Sequence, residues 1–158
     1  MRAATTLGVI LMVIAFVSAG VPSWAGKALN PIEIRLVAQQ PRGGPVLAVE
    51  GGDRTLEVEP ETLLGPGDFA SVGDVEWTEG KPGFDVTLTD SGAGKYERIS
   101  SENVGRTLAV IVGGRVLMTP KILDPVRAQG FLLTMEDARE AARLAASIRQ
   151  AVGQDRTP

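Results

Sequence analysis

The chain has 158 residues, 44% of them hydrophobic, with 16 basic and 19 acidic side chains and a formal net charge of -3. It contains no cysteine and no histidine, which removes disulfides, thiol nucleophiles, the two side chains that dominate zinc sites and the usual general base of a hydrolytic triad. The mildly acidic balance favours solubility and argues against a nucleic acid or another phosphate-rich partner.

The first 25 residues are expected to form a signal peptide. Met1 and Arg2 give a short positive end, Leu7 to Val17 is apolar apart from Gly8, and Ser23-Trp24-Ala25 offers small residues for cleavage before Gly26. Even extended to Val21, the apolar stretch falls short of the ~20 residues that cross a bilayer, so no membrane span is expected after cleavage and a retained anchor is the alternative. The expected location is periplasmic or secreted. Removing 25 of the 158 residues leaves 133, a single-domain length able to bury roughly two thirds of its unfolded surface. Arg2 is the only charge removed, so 15 basic residues face 19 acidic ones, a formal net of -4.

Residues 26–72 read as N-terminal strands and Pro/Gly-rich loops. A strand is placed at Ile32 to Val37. From Gln39 to Arg54 the density of Pro41, Gly43, Gly44, Pro45, Gly51 and Gly52 predicts loop and hairpin. Thr55-Leu56-Glu57-Val58-Glu59 then alternates as a strand with one wet face. These two strands are expected to form a small base, joined to the second half of the chain by the turn Gly65-Pro66-Gly67.

Residues 73–150 read as a better organised α+β unit. Gly73 to Trp77 and Phe84 to Thr89 alternate at period two around the turn-forming Glu79-Gly80-Lys81-Pro82-Gly83, which predicts a hairpin with one face of each strand buried. Asp90-Ser91 is the expected cap of a helix with apolar positions Ala93, Tyr96, Ile99 and Val104, ended by Gly105. Leu108-Ala109-Val110-Ile111-Val112 suits a strand buried on both faces. Gly113-Gly114 turns it into Arg115 to Met118. A last strand at Gln129 to Leu133 leads to a helix with Thr134 and Asp137 as a capping box. Its buried stripe is Ala138, Ala141, Ala142, Ala145 and Ile148, and its solvent side Arg139, Glu140, Arg143 and Arg149. Residues 151–158 are expected to be a disordered tail. The fold class is α+β: two layers, a mainly antiparallel sheet with about two helices packed on one face.

Carboxylates are the remaining route to catalysis. The pairs Glu57/Glu59 and Asp68/Asp74 have the composition of an acid and base. Glu57 and Glu59, two apart on a strand, read better as a solvated face, and Asp68 and Asp74, beside Gly67 and Gly73, as turn formers. Gly92-Ala93-Gly94-Lys95 after a strand imitates a phosphate loop, but Thr89 and Tyr96 stand where that loop needs Gly and Ser or Thr, and Glu97 where a dinucleotide fingerprint needs Gly. Close helix packing is the expected reason for both glycines. Arg98, Arg106, Arg115, Lys121 and Arg127 are scattered among acids, and most aromatics fall on strand positions expected to face the core, so a nucleic-acid surface is not expected. No residue is assigned a catalytic, cofactor or metal role, and no ligand-binding residue stands out.

The run Ser91 to Tyr96, followed by Ser100-Ser101-Glu102-Asn103-Val104-Gly105-Arg106-Thr107 and Leu108 to Val112, resembles the periplasmic head subdomain of the SecD/SecDF protein-export translocase subunits. Gly114 to Pro120 is similar to that family's hairpin leading to a proline, and Gly130-Phe131 with Thr134-Met135-Glu136-Asp137-Ala138 to its last strand and helix. The resemblance covers about Gly73 to Ile148, and more loosely Ile34 to Val37. It departs at Gly113, where the family usually has Asp, and at Leu132-Leu133, where a glycine turn is common. It implies the fold, a non-enzymatic role without a cofactor, and contact with polypeptide on the outer side of the membrane. The resulting expectation is an exported interaction domain that binds an extended polypeptide or a protein partner, for example by strand addition at a sheet edge. A docking subunit of a larger envelope or secretion complex is the alternative, and a carboxylate-dependent enzyme a third.

Overall fold

The computed structural model describes residues 30–154; the expected signal peptide over residues 1–25 and the tail residues 155–158 lie outside them. The elements in chain order are β1 (Ile32–Leu36), β2 (Val46–Ala48), β3 (Thr55–Glu57), a single 3-10 turn (Pro66–Asp68), β4 (Phe69–Val72), β5 (Glu76–Thr78), β6 (Lys81–Leu88), α1 (Asp90–Glu102), β7 (Leu108–Val112), β8 (Arg115–Met118), β9 (Gly130–Thr134) and α2 (Ala138–Val152). The strands pair antiparallel, in the expected α+β class.

β7 is the middle strand of a three-stranded sheet in the order β1-β7-β8, and all five of its residues are buried. Its β-branched run is stable there because both faces are covered. Leu108, Val110 and Val112 join Ile32, Ile34 and Leu36 in the main core. Ala109 and Ile111 pack with Val58 and Val116 in a second cluster, capped by Leu47, Val49 and Leu56 of the β2–β3 hairpin and its flank. Gly113 and Gly114, at φ 56° and 79°, make the turn into β8.

The small base is a correction. Val37 and Val58 do bridge, but β1 runs its full length along β7, Ile32 opposite Val112 through Leu36 opposite Leu108. β3 instead pairs with β2. The long-range ladder won because β1 has one apolar face that matches β7 residue for residue, whereas the Pro/Gly segment supplies only a short partner.

A second sheet is built around β6. β9 takes one edge of it, while β4 and β5 follow each other along the opposite edge. The expected β5–β6 hairpin is present with different bounds. Its turn is Glu79-Gly80 alone, and Lys81, Pro82 and Gly83 already belong to β6. Pro82 is tolerated because β9 has ended at Thr134 by that point; the Pro82 carbonyl still accepts the Met135 N–H at 2.8 Å. Strand β4 comes directly after the 3-10 turn and is an addition to the predicted elements.

Both helices pack on the side of this second sheet, α1 against the 3-10 turn and β6 and α2 against β4 and β6, rather than on the sheet centred at β7. α1 is capped by Thr89, whose hydroxyl accepts the Gly92 N–H at 3.0 Å, in place of Asp90-Ser91. Val104 lies beyond the helix end and is exposed. A Cβ on Gly92 would stand 2.2 Å from the Asp68 carbonyl oxygen, so this glycine permits the approach of α1 to the 3-10 turn. Gly94 has open space around it, so the close packing expected for both glycines holds at Gly92 alone.

α2 begins later than its expected capping box. Asp137 is the N-cap, accepting the Glu140 N–H at 2.8 Å, and Thr134 is the last residue of β9. Ala141, Ala145 and Ile148 are fully buried, but Ala142 is exposed and Leu144 lies against the core instead. The helix continues through Val152 and is ended by Gly153 at φ 78°, so the first residues of the expected tail are helical.

Candidate functional site

The chemistry available to a ligand depends on which polar backbone groups the sheets leave open. β1 has its outer edge closed by Leu63 and Leu64, through Leu63 N–H to the Ile34 carbonyl and Ile34 N–H to the Leu64 carbonyl, both at 2.9 Å. β8 is closed by the Glu50 N–H on the Val116 carbonyl at 2.8 Å. β4 is closed by side chains from the end of α2: Gln154 Oε1 accepts the Val72 N–H at 2.8 Å, and Arg149 Nε donates to the Val72 carbonyl at 3.2 Å. Arg149 is therefore a structural clamp and not a solvent-side residue.

β9 is different. The bonds Leu88 N–H to the Gln129 carbonyl, 2.7 Å, and Met135 N–H to the Pro82 carbonyl fix its phase: the odd-numbered residues bond to β6. Gly130, Leu132 and Thr134 therefore turn their N–H and C=O groups away from the sheet, and among the described residues nothing pairs with them. The five residues offer an edge of about 17 Å. Phe131 and Leu133 anchor it from beneath, Phe131 edge-on to Phe69 at 6.3 Å between ring centroids. The strand, Gly-Phe-Leu-Leu-Thr, carries neither charge nor proline, the devices that normally guard an edge against pairing. β5, by comparison, is three residues long, begins with Glu76 and is followed by Glu79 and Lys81. Sequence reasoning places a strand here but has no signal for which of its edges remains open.

The carboxylates of both acidic pairs are bound to backbone amides or cations. Glu57 accepts the backbone N–H groups of Arg42 and Gly44 at 2.7 and 2.9 Å, and these bonds hold its carboxyl below the usual carboxylate range. Glu59 pairs with Arg106. Both line a cavity of about 380 Å³ with Gly44, Pro60 and Arg106, so they are engaged residues and not a plain solvated face. Asp68 is buried; it accepts the Gly65 N–H at 3.0 Å and pairs with Lys95 at 2.6 Å. Asp74 is exposed and pairs with Arg149 at 3.0 Å. The lysine of the phosphate-loop imitation is thereby committed to Asp68. Arg115 pairs with Glu50 and Glu140, and Arg127 with Glu97, which disperses the basic charge. No group of three or more acidic side chains able to hold a metal occurs among the described residues.

Because the folded-state pKa of Glu57 is depressed, its stabilising bonds to the 42–44 loop are present above the unfolded carboxylate value and are lost as pH falls through the folded one. The Gly44 amide resonance is expected to titrate with a midpoint below that of a free glutamate. The Glu57→Gln variant should flatten that titration; a midpoint at or above the free value would contradict the assignment.

The fold is thus α+β, with the long, uncharged edge of β9 open and, among the described residues, no helix long and apolar enough to cross a membrane. Residues 49–152 match the family model of the SecDF P1 head subdomain, and the chain belongs to that family. The match starts well upstream of Gly73, where the resemblance in the sequence becomes strong. The chain is 30% identical over 118 residues to the protein translocase subunit SecDF of Thermus thermophilus, covering 72% of this chain and 16% of that one. It is 29% identical over 94 residues to the protein translocase subunit SecD of Acidaminococcus fermentans, covering 59% and 22%. It therefore spans about a fifth of the length of these relatives. A solved structure of SecDF, described as a membrane component that enhances protein export, superposes with a TM-score of 0.59 at 21% identity over 75% of this chain and 61% of that one. SecDF in a super-membrane-facing form gives 0.57 at 22% identity over 75% and 18%. At these identities the superpositions speak for the fold.

Proposed function

We propose that this protein is a non-enzymatic head domain of protein export that acts outside the cytoplasm and holds an extended polypeptide by strand addition along β9. The observation that carries this reading is the unguarded edge at Gly130, Leu132 and Thr134. An added strand would exchange backbone hydrogen bonds with these residues, which gives affinity without demanding a particular sequence, as a handler of many clients requires. Membership of the SecDF head family supports the export setting, and the signal-like first 25 residues support the location.

The test uses the full chain and a reduced, alkylated, permanently unfolded polypeptide. Leu132→Pro removes an outward N–H and leaves the β6 ladder bonds in place. It is expected to weaken capture at least tenfold, while Leu132→Lys, which keeps the backbone donor, retains most of it. Circular dichroism checks that both variants fold. Undiminished capture by the folded proline variant would overturn the reading.

A second reading, a docking subunit of a larger envelope complex, is favoured by one separate observation. Leu123 is 71% and Val104 51% exposed. The Gly105 N–H on the Ile122 carbonyl at 2.8 Å brings their backbones together. Val126 lies along the same connection, held to α1 by its N–H on Ser100 Oγ at 2.8 Å. A single stoichiometric partner lost on Leu123→Ser, with capture of unfolded polypeptide unchanged, would support this role.

A further inference from the structure

The β5–β6 hairpin tip combines two locally unfavourable choices. Trp77 is 70% exposed, although its cross-strand partner Pro82 is buried. By the alternation of β6, this row lies on the face that carries Phe84 and the helices, so Trp77 projects past the cover that hides its neighbours. Beside it Glu79 sits at φ 52°, the one non-glycine residue with positive φ among those described, followed by Gly80 at φ 81°. A two-residue turn with both angles positive favours Asn-Gly or Gly-Gly, and glutamate there is strained. A large apolar ring left in water next to a carboxylate held in a disfavoured conformation points to use of both groups.

Charge decides the partner. Lys81 pairs with Glu136, whereas Glu76 and Glu79, both exposed, have no basic partner among the described residues. Three carboxylates thus accompany one ammonium at the hairpin tip, with Glu76 and Lys81 on the strand face opposite the indole and Glu79 in the turn beside it. We propose that this tip is a docking point for a cationic segment of a partner polypeptide, with an arginine or lysine stacked on the Trp77 ring and its charge met by Glu79, Glu76 adding to the negative field of the tip. A cation over an indole face gains from the ring quadrupole, and flanking carboxylates raise the local concentration of cationic partners. The site lies on the opposite edge of β6 from β9 and is independent of strand capture there.

The experiment uses the full chain with Trp24→Phe, so that Trp77 is the only indole. A synthetic Arg-Leu-Gly repeat peptide is titrated while indole emission is followed, with the Glu-Leu-Gly repeat as control. The cationic peptide should shift the emission with an affinity that falls as salt rises, and the acidic one should give no shift. Glu79→Asn is the discriminating variant. It should raise Tm by roughly 2–4 °C by relieving the turn, yet weaken the cationic peptide about fivefold. Trp77→Ala, read by calorimetry, should weaken binding at least tenfold. Equal binding of both peptides, or unchanged affinity in the stabilised Glu79→Asn variant, would overturn the proposal. Loss at the hairpin variants with capture by β9 intact separates this site from the edge.

Discussion

Arg35→Ala is expected to cost about 3–5 kcal/mol of folding stability and to lower Tm by roughly 10–15 °C. Arg35 and Glu33 lie two apart on β1, facing the same side, with side chains only 10% and 4% exposed. Arg35 Nε meets Glu33 Oε1 at 2.9 Å and Nη2 meets Oε2 at 3.2 Å, while Nη1 donates to the Pro60 carbonyl at 2.7 Å. Asn30 and Thr62 complete the carboxylate, at 2.7 and 3.2 Å from Oε2. Truncating the arginine strands a buried carboxylate and frees the loop that covers it. Glu33→Leu combined with Arg35→Met should recover most of the loss, because the cost lies in the unpaired charge more than in the missing pair. Denaturant unfolding of the single and double variants checks both halves, and a single-variant loss below about 1 kcal/mol would show the pair to be solvated.

Phe84→Ala should cost a similar 3–5 kcal/mol, and Phe84→Leu less than half of that. Phe84 is 1% exposed at the middle of β6, between the helices and the strands they cover. Its removal leaves a cavity in the one core shared by both sheets, and neither helix can close it without losing its own contacts. Chemical denaturation with an unchanged m-value is the expected signature of lost packing in a fold that is otherwise retained.

What the amino-acid sequence disclosed depends on the range of the physics involved. Leu108 to Val112 was legible because five consecutive apolar residues need cover on both sides wherever they lie. That the cover on one side is the β2–β3 hairpin was not legible, since Val46–Ala48 sits among prolines and glycines whose local preference is for turns. Glu33 and Arg35 alternate with Ile32, Ile34 and Leu36, a pattern that locally implies a wet face; only the arrival of the 59–62 loop makes it dry. The alternation around Trp77 implied burial, yet the ring is left exposed at the hairpin. Helix caps shifted by one to three residues because Thr89 and Asp137 were reached by the neighbouring N–H groups first. Without His or Cys the acids were the remaining route to catalysis, and their partners were not legible: Glu57, Glu59 and Asp68 bind backbone amides, and cations brought in from distant parts of the chain.

The candidate edge was legible only as a strand. Whether an edge is open depends on what the rest of the chain does, here the closure of β1, β8 and β4 by Leu64, Glu50 and Gln154. The same closures leave a client one long stretch of backbone on the two larger sheets, so the proposed mechanism is selective for position and tolerant of sequence. Amide hydrogen exchange at Leu132 and Thr134 is its most direct measure. These two amides should exchange rapidly in the protein alone and become protected at least tenfold when the unfolded polypeptide is added, with Phe131 and Leu133 slow throughout. Equal exchange at Leu132 and Thr134 with and without a polypeptide that demonstrably binds would contradict strand addition on β9.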